Sequence, residues 1–437
     1  MTEPAISSAG GLPSLKDAEW LKRPETKRVF AALSGDGVQT RAVGGAVRDT
    51  LLGEKVKEID LATTAKPEQV MALAKKAGLK PVPTGIEHGT VTVIADGVPF
   101  EVTTLRSDVE TFGRHATVAF TKDWDADARR RDFTLNALYA GSDGTVFDPL
   151  GGYGDLLAGR VRFIGDAEAR IKEDYLRILR FFRFNAYYGK GPLDEEGLKA
   201  AVKLCSGLDR LSAERVNAEL RSLLVAPQAV RAVEALFDCG LLVGLLGGVP
   251  RLARFARLVA IEEAVGLEPD AILRLAALGV FVKEDAPRLA TRLRLSNAER
   301  AVLELGAAKP AGLPDEEAAK RALYRLGESD FARHVLLAWV DSGASSEDKS
   351  WRSATSQVER SARHSGRLRR SGLPVDLPHP AKSCSRVPAH SAESHPGKTD
   401  KRRREGKRHR DQRGFDENVA SAHLAAGDAD LTVEEFA

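Results

Sequence analysis

A short apolar strand running straight into a glycine pair narrows the fold of this chain more than any other feature. Thr40 to Val43 reads as a strand, Gly44-Gly45 follows, and Val47, Leu51 and Leu52 then recur at helical spacing up to Gly53. Strand, glycine turn and helix in succession put a bare backbone where a ligand can approach closely. Next, Lys57 to Thr63 reads as a strand with Ile59 and Leu61 on one face. Positions i and i+2 of a strand share a face about 6.6 Å apart, so Glu58 and Asp60 point together.

Around this unit the periodicity divides the chain. Ala18 to Leu33 has a helical apolar rhythm ending at Gly35-Asp36-Gly37, and Pro67 opens a helix through about Ala77. Thr90 to Ala95 and Pro99 to Thr104 read as strands joined by an Asp96-Gly97 turn. Residues 1–140 therefore form an α/β region. From about Leu156 to Val340 the pattern is helical almost throughout, with two helical parts meeting near residues 206–212. The fold class is α+β: a small mixed β-sheet with helices, followed by an all-α region.

After about Gly343 isoleucine disappears, and Ser, Arg, His and Pro dominate. Such a segment buries too little apolar surface to offset its ordering entropy, so 344–437 is expected to be a disordered basic tail. Frame-shifted translation of GC-rich DNA produces the same composition. The net charge of +3 hides this division: Lys349 to Arg413 holds eighteen basic against six acidic residues, leaving an acidic excess of nine elsewhere. Any nucleic acid bound by the body must therefore meet a local basic face. Three scattered cysteines without a CxxC indicate neither disulfides nor a cysteine zinc site. No apolar run approaches the roughly 18 residues of a membrane span, and the first residues lack a signal pattern, which reads as a cytoplasmic protein without a membrane partner.

Glu58 and Asp60, side by side without a counter-charge, repel, and a divalent cation relieves this. Hard Mg²⁺ prefers carboxylate and phosphate oxygen. Glu101, on a strand where Phe100 and Val102 face the core, can join them as a third carboxylate. Gly44 and Gly45, the amides of the following helix and Arg48 are suited to a triphosphate. Taken individually, each has a blander reading: an exposed edge strand, a tight turn, a surface ion pair.

Together with Arg130-Arg131-Asp132-Phe133-Thr134-Leu135-Asn136-Ala137, Asp148-Pro149-Leu150-Gly151-Gly152, Glu173-Asp174-Tyr175-Leu176-Arg177 and Ser212-Ala213-Glu214-Arg215, these residues resemble the class II tRNA nucleotidyltransferases and the related bacterial poly(A) polymerases, over about Arg41 to Leu224. The resemblance implies a catalytic head (1–140), a helical neck that reads the base (141–210), a helical body that binds tRNA (211–343), and addition of CCA to the tRNA 3′ end from CTP and ATP. It implies two Mg²⁺ ions held chiefly by Glu58 and Asp60, with Arg131 on the incoming nucleotide. Asp174 and Arg177, i and i+3 on a helix, then select the base, and Arg180 and Arg183 aim at the triphosphate. Cytosine and adenine both present an amine donor beside a ring-nitrogen acceptor, which suits a carboxylate next to an arginine; uracil and guanine do not.

One departure is Glu58, where the family usually has Asp; the charge stays but moves by one methylene. Leu105 to Asp123, with Arg106, Asp108, Arg114 and His115, resembles the family's flexible loop. The stretch Asp96 to Val102 lacks the basic, aromatic segment of poly(A) polymerases. A poly(A) polymerase, a CC-only enzyme and a catalytically inactive RNA-binding relative are the alternatives.

Overall fold

Seven strands in the order β3-β4-β5-β2-β1-β8-β9 form one mixed sheet in the computed structural model, which describes residues 11–112, 115–307 and 327–355. In chain order the head comprises α1 (Glu19–Lys22), α2 (Pro24–Leu33), β1 (Thr40–Val43), α3 (Gly45–Leu51), β2 (Asp60–Thr63), α4 (Pro67–Lys76), β3 (Lys80–Gly85), β4 (Thr90–Ala95) and β5 (Val98–Thr104). A two-stranded ribbon of β6 (Arg106–Phe112) and β7 (His115–Phe120) follows, then α5 (Trp124–Arg129), β8 (Tyr139–Ala140) and β9 (Val146–Phe147).

The register sorts the side chains. Val91, Val102, Leu61, Ala42 and Ala140 are successive neighbours across the sheet. All are buried, in the same core as Val29, Phe30 and Leu33 of α2 and Val70 and Ala74 of α4. One residue along each strand, the opposite face carries Thr92, Glu101, Asp60, Val43, Tyr139 and Phe147. On that face α5 covers the Val43–Tyr139 end, where Ala128, Val43 and Tyr139 share a small core. Glu101 and Asp60 stay exposed beyond it. β2 and β5 are the one parallel pair in the sheet, and their register sets Asp60 directly beside Glu101.

The remainder is helical: α6 (Gly152–Ala158), α7 (Ala167–Glu173), α8 (Leu176–Tyr188), α9 (Glu195–Lys203), α10 (Ala213–Leu224), α11 (Ala229–Asp238), α12 (Leu241–Leu246), α13 (Leu252–Val265), α14 (Ala271–Gly279), α15 (Asp285–Arg292), α16 (Asn297–Leu305) and the Glu328–Ser342 helix. Phe133 and Phe163 meet Phe181 and Phe184 of α8, with ring centroids 4.8 Å apart for Phe133–Phe163, 5.1 Å for Phe133–Phe184 and 5.6 Å for Phe163–Phe181. Each such pair adds roughly 0.5–1.5 kcal/mol beyond burial, so the head and α8 are fastened by an aromatic seam.

Four expectations need correcting, and one strand carries no sequence signal. The single helix over Ala18–Leu33 divides at Arg23, which Pro24 forces into an extended conformation. The strand begins at Asp60 rather than Lys57, leaving Glu58 in the link before it. The segment from Leu105 to Asp123 contains the paired ribbon β6–β7; Arg114 lies outside the described residues. β3 has no alternating apolar pattern and is read only from the structure. The packed chain continues past Gly343: Trp351 is buried and stacks on Trp339 with centroids 6.1 Å apart. Residues 356–437, and the expectation made for them, lie outside the described part.

Within the helical part, Glu262 of α13 and Arg274 of α14 form an ion pair at 2.6 Å, with side chains 2% and 5% exposed. Burial pushes Glu262 up to about 7 although Arg274 pulls it down. The two partners are therefore not equivalent on removal. Glu262→Leu strands a guanidinium that cannot lose its proton, and urea denaturation should show a loss of about 3–5 kcal/mol. Arg274→Met leaves a carboxyl that can take up a proton. That variant should track wild-type stability up to about pH 7, where Glu262 is protonated in both folded states, and fall below it as pH rises further, because without Arg274 the folded state holds that proton to higher pH.

Candidate active site

Gly44 has φ +65°, a conformation that only glycine adopts cheaply, and this lets β1 turn at once into α3. The turn presents Gly45 and Arg48 to a cleft of about 720 Å³. Its walls are the link from Glu54 to Glu58 with Asp60 on the head side, Arg183, Tyr187, Tyr188 and Lys190 at the end of α8, and Ser222 and Gln228 from the helices beyond. All three parts of the fold thus contribute to one cavity, of a size that suits a small-molecule substrate.

At the floor, burial and then the charges of Glu101 and Glu58 raise the Asp60 carboxyl to about 6, against an opposing pull from Arg131. Asp60 keeps solvent-accessible surface in the cleft, so the protein around it removes much of its water without closing it off. Three carboxylates accumulating negative charge, all with hard oxygen donors, are the donor set a divalent cation fits. Among the described residues no group of three or more His, Cys, Asp and Glu is gathered closely enough to hold a metal by itself. A cation here therefore depends on water or phosphate oxygens for its remaining positions, as Mg²⁺ commonly does.

Arg48 is buried and fixed on several sides. It donates to Asp49 Oδ1 at 2.8 Å and to Asn136 Oδ1 at 2.7 Å, and its guanidinium lies 4.3 Å from the Tyr188 ring centroid. Asn136 in turn donates to Asp132 Oδ1 at 2.9 Å, and Asp132 Oδ2 accepts from Arg180 Nη2 at 2.6 Å and Nε at 2.8 Å. Glu219 of α10 completes the chain, 3.6 Å from Arg180 and 2.5 Å from Arg183. Burial acts to raise the Asp132 carboxyl. Arg180 and the hydrogen bonds from Asn136 and the Phe133 amide outweigh it and hold Asp132 below its usual range.

The arginine and aspartate of the Arg131-Asp132 dipeptide do not pair with each other. Arg131 binds Asp127 at 3.0 Å and the Tyr139 hydroxyl at 3.1 Å. Its charge reaches Asp60, but its side chain is not part of the cleft wall. Asp174 and Arg177 also differ from the expected helical i, i+3 pair. Asp174 has extended φ −152°, ψ 106° between α7 and α8. It accepts from Arg215 Nη2 at 2.6 Å and from the Leu176 amide at 3.1 Å. Arg177 pairs with Glu173 at 2.5 Å. Of the eleven sequence candidates, Gly45, Arg48, Glu58, Asp60 and Arg183 line the cleft, and Glu101 adjoins it through Asp60. Gly44 shapes its turn, while Arg131, Asp174, Arg177 and Arg180 are engaged in ion pairs or hydrogen bonds. Sequence reasoning missed Glu219, Tyr187, Tyr188, Lys55, Lys57 and Lys190. Nothing in the primary structure places α10 against α8, although the Tyr187-Tyr188 pair at the end of an arginine-rich helix is a visible signal.

Residues 40–162 match the family model of the poly A polymerase head domain, and residues 192–255 match a probable RNA and SrmB-binding site of polymerase A. The fold and site thus define a nucleotidyltransferase head on a helical support. The chain is 41% identical over 269 residues to the mitochondrial CCA tRNA nucleotidyltransferase 1 of Mus musculus, covering 60% of this chain and 61% of that protein. It is 39% identical over 212 residues to the CCA-adding enzyme of Leuconostoc mesenteroides, covering 48% and 52%. A Bacillus stearothermophilus CCA-adding enzyme in complex with CTP superposes with a TM-score of 0.59 at 26% identity, covering 81% of this chain and 90% of that one. In sequence and fold the chain is similar to the tRNA nucleotidyltransferase/poly(A) polymerase family, and that similarity implies dependence on a divalent metal. The match spans about three fifths of the length of the mammalian relative. Among the described residues no helix is long and apolar enough to cross a membrane.

Because Asp132 is ionised and paired in the folded state, it contributes stability that is present above pH 3.8 and lost as pH falls through its lowered folded value. Asp132→Asn should lower stability at pH 7 by roughly 3 kcal/mol and flatten the acid side of a stability–pH profile measured by denaturant titration.

Proposed function

We propose that the chain is a CCA-adding tRNA nucleotidyltransferase that joins CMP and AMP units from CTP and ATP to the 3′ end of tRNA and releases pyrophosphate. The observation that carries this reading is the parallel register that sets Asp60 beside Glu101, with Glu58 opening onto the same cleft. We assign Mg²⁺ to Glu58 and Asp60, with Glu101 adjoining. When bound, Mg²⁺ supplies the positive charge needed by the attacking hydroxyl and the transferring phosphoryl group.

The protein's own part is positioning. Gly45 leaves the backbone open to phosphate, and Gly44 makes the turn that puts it there. Arg48 and Arg183 keep their guanidiniums in place through Asp49, Asn136 and Glu219, so little reorganisation is needed when phosphate arrives. Arg131 tempers the charge on Asp60 from behind, and Arg180 ties the head to α8. Asp174 accepts from the exocyclic amine of cytosine or adenine and Arg177 donates to the adjacent ring nitrogen. Each has a protein partner in this structure, Arg215 and Glu173, which must share or yield it when the base binds. The compartment we propose is the cytoplasm; the mouse, human and zebrafish relatives are mitochondrial by name.

Asp60→Ala should reduce nucleotide incorporation by at least a thousandfold (a transition-state loss of ~4 kcal/mol or more) while leaving RNA binding intact. Arg177→Ala should relax discrimination against UTP and GTP by about tenfold or more, through the loss of one base-reading hydrogen bond worth ~1–3 kcal/mol. Single-turnover assays with each of the four nucleotides check both. Undiminished incorporation by Asp60→Ala would overturn the site assignment.

A further inference from the structure

The cleft contains three cations that the proposed chemistry has not used. Lys55 and Lys57 lie in the link between α3 and β2, and Lys190 lies just after α8 on the facing wall. All three are exposed, and among the described residues none gives its ammonium to a carboxylate or carbonyl. Acids are at hand, since Glu54 and Glu58 line the same cavity, yet the lysines remain unpaired beside them. By contrast, the arginines of the cleft are neutralised: Arg48 by Asp49 and Arg183 by Glu219.

Lys190 is also held. Its backbone amide donates to Gly159 O at 3.0 Å. Gly159 has φ +63°, and a Cβ placed on it would fall 2.5 Å from Lys190 Cβ. The stem of Lys190 therefore rests on a glycine surface that no other residue would leave open, and the residue lines the cleft. The link before β2 is set from the other side by Gly53, at φ +73°, and by the Glu54 amide bonding to Asp49 O at 2.8 Å.

Unpaired lysines on two facing walls, beside carboxylates reserved for a reacting phosphate, are suited to phosphate oxyanions. The nucleotide's triphosphate and the RNA backbone both offer that chemistry. Gly45, Arg48 and Arg183 already serve the first. Lys190 stands on a wall that runs from Gly189 to Gln228, into the segment that matches an RNA-binding family, and Lys55 and Lys57 face it. We propose that Lys55, Lys57 and Lys190 grip the backbone phosphates of the RNA 3′ end and so bring its terminal hydroxyl to Asp60. The assignment rests on the function proposed above.

The test uses the full chain and a tRNA lacking its terminal CCA, with binding of the tRNA and of CTP measured separately from 50 to 200 mM salt. The Lys55→Gln/Lys57→Gln/Lys190→Gln variant should bind the tRNA more weakly. The slope of log affinity against log salt should fall by about two, at roughly 0.7 per lost single-strand phosphate contact. Its CTP affinity should be unchanged. An unchanged slope alongside wild-type tRNA affinity would overturn the proposal, and so would a loss confined to CTP, which would assign the lysines to the triphosphate. If the unmodified chain itself fails to bind the tRNA, the proposed function falls, and this assignment falls with it.

Discussion

A single buried carboxylate, Asp132, organises the site. It lies in the head, at the start of the turn that follows α5, and accepts from Arg180 on α8, from Asn136 and from the Phe133 amide. Through Asn136 it fixes Arg48, and through Arg180 it reaches Glu219 and Arg183. Arg48 and Arg183, which line the cleft, are therefore tied with Asn136, Arg180 and Glu219 into one network centred on this charge. Around it, the Phe133, Phe163, Phe181 and Phe184 rings exclude water. That low-dielectric setting makes the ion pair strong while both partners are present and costly when one is lost.

The same arrangement separates two kinds of charge. Acids are left without a counter-charge on the cleft side: Asp60, Glu101 and Glu58 gather around the start of β2, in the middle of the sheet, and Asp60 pays for this with a carboxyl raised to about 6. Arginines, by contrast, are braced by acids from behind. Each guanidinium is then pre-oriented, with limited freedom left to lose when a phosphate binds. A site built this way performs its chemistry by position and field and needs no nucleophilic side chain.

Much of this was legible in the primary structure, for identifiable reasons. β1, the glycine turn, α3 and the carboxylate-bearing strand are local patterns in which alternation and glycine speak directly, and the proximity of Asp60 and Glu101 followed from two strands with matching apolar phase. Partner choice was not legible. Arg131 and Asp132, adjacent in sequence, point apart, and each has a partner that the sequence does not name, Asp127 and Arg180. Asp174 and Arg177 suggested a helical pair, yet the helix begins only at Leu176. Residues 105–123 read as a loop because the ribbon they contain pairs only with itself, outside the main sheet. Asp148 and Asp155 illustrate the converse. Asp148 opens the Asp148 to Gly152 motif and Asp155 lies three residues beyond its end, and both make structural contacts: Asp148 accepts from the Gly152 and Tyr153 amides and Asp155 from Thr134 and Arg162.

The central claim is that one cleft, with no nucleic acid template, adds cytidine and then adenosine to an RNA end. Its most direct test is the product itself. A tRNA lacking its last three nucleotides would be incubated with the chain, Mg²⁺ and all four nucleoside triphosphates, and the extended 3′ end read at single-nucleotide resolution. The account predicts C, C and A in that order, followed by a stop. A long adenosine tract, or indiscriminate incorporation of all four nucleotides, would contradict it.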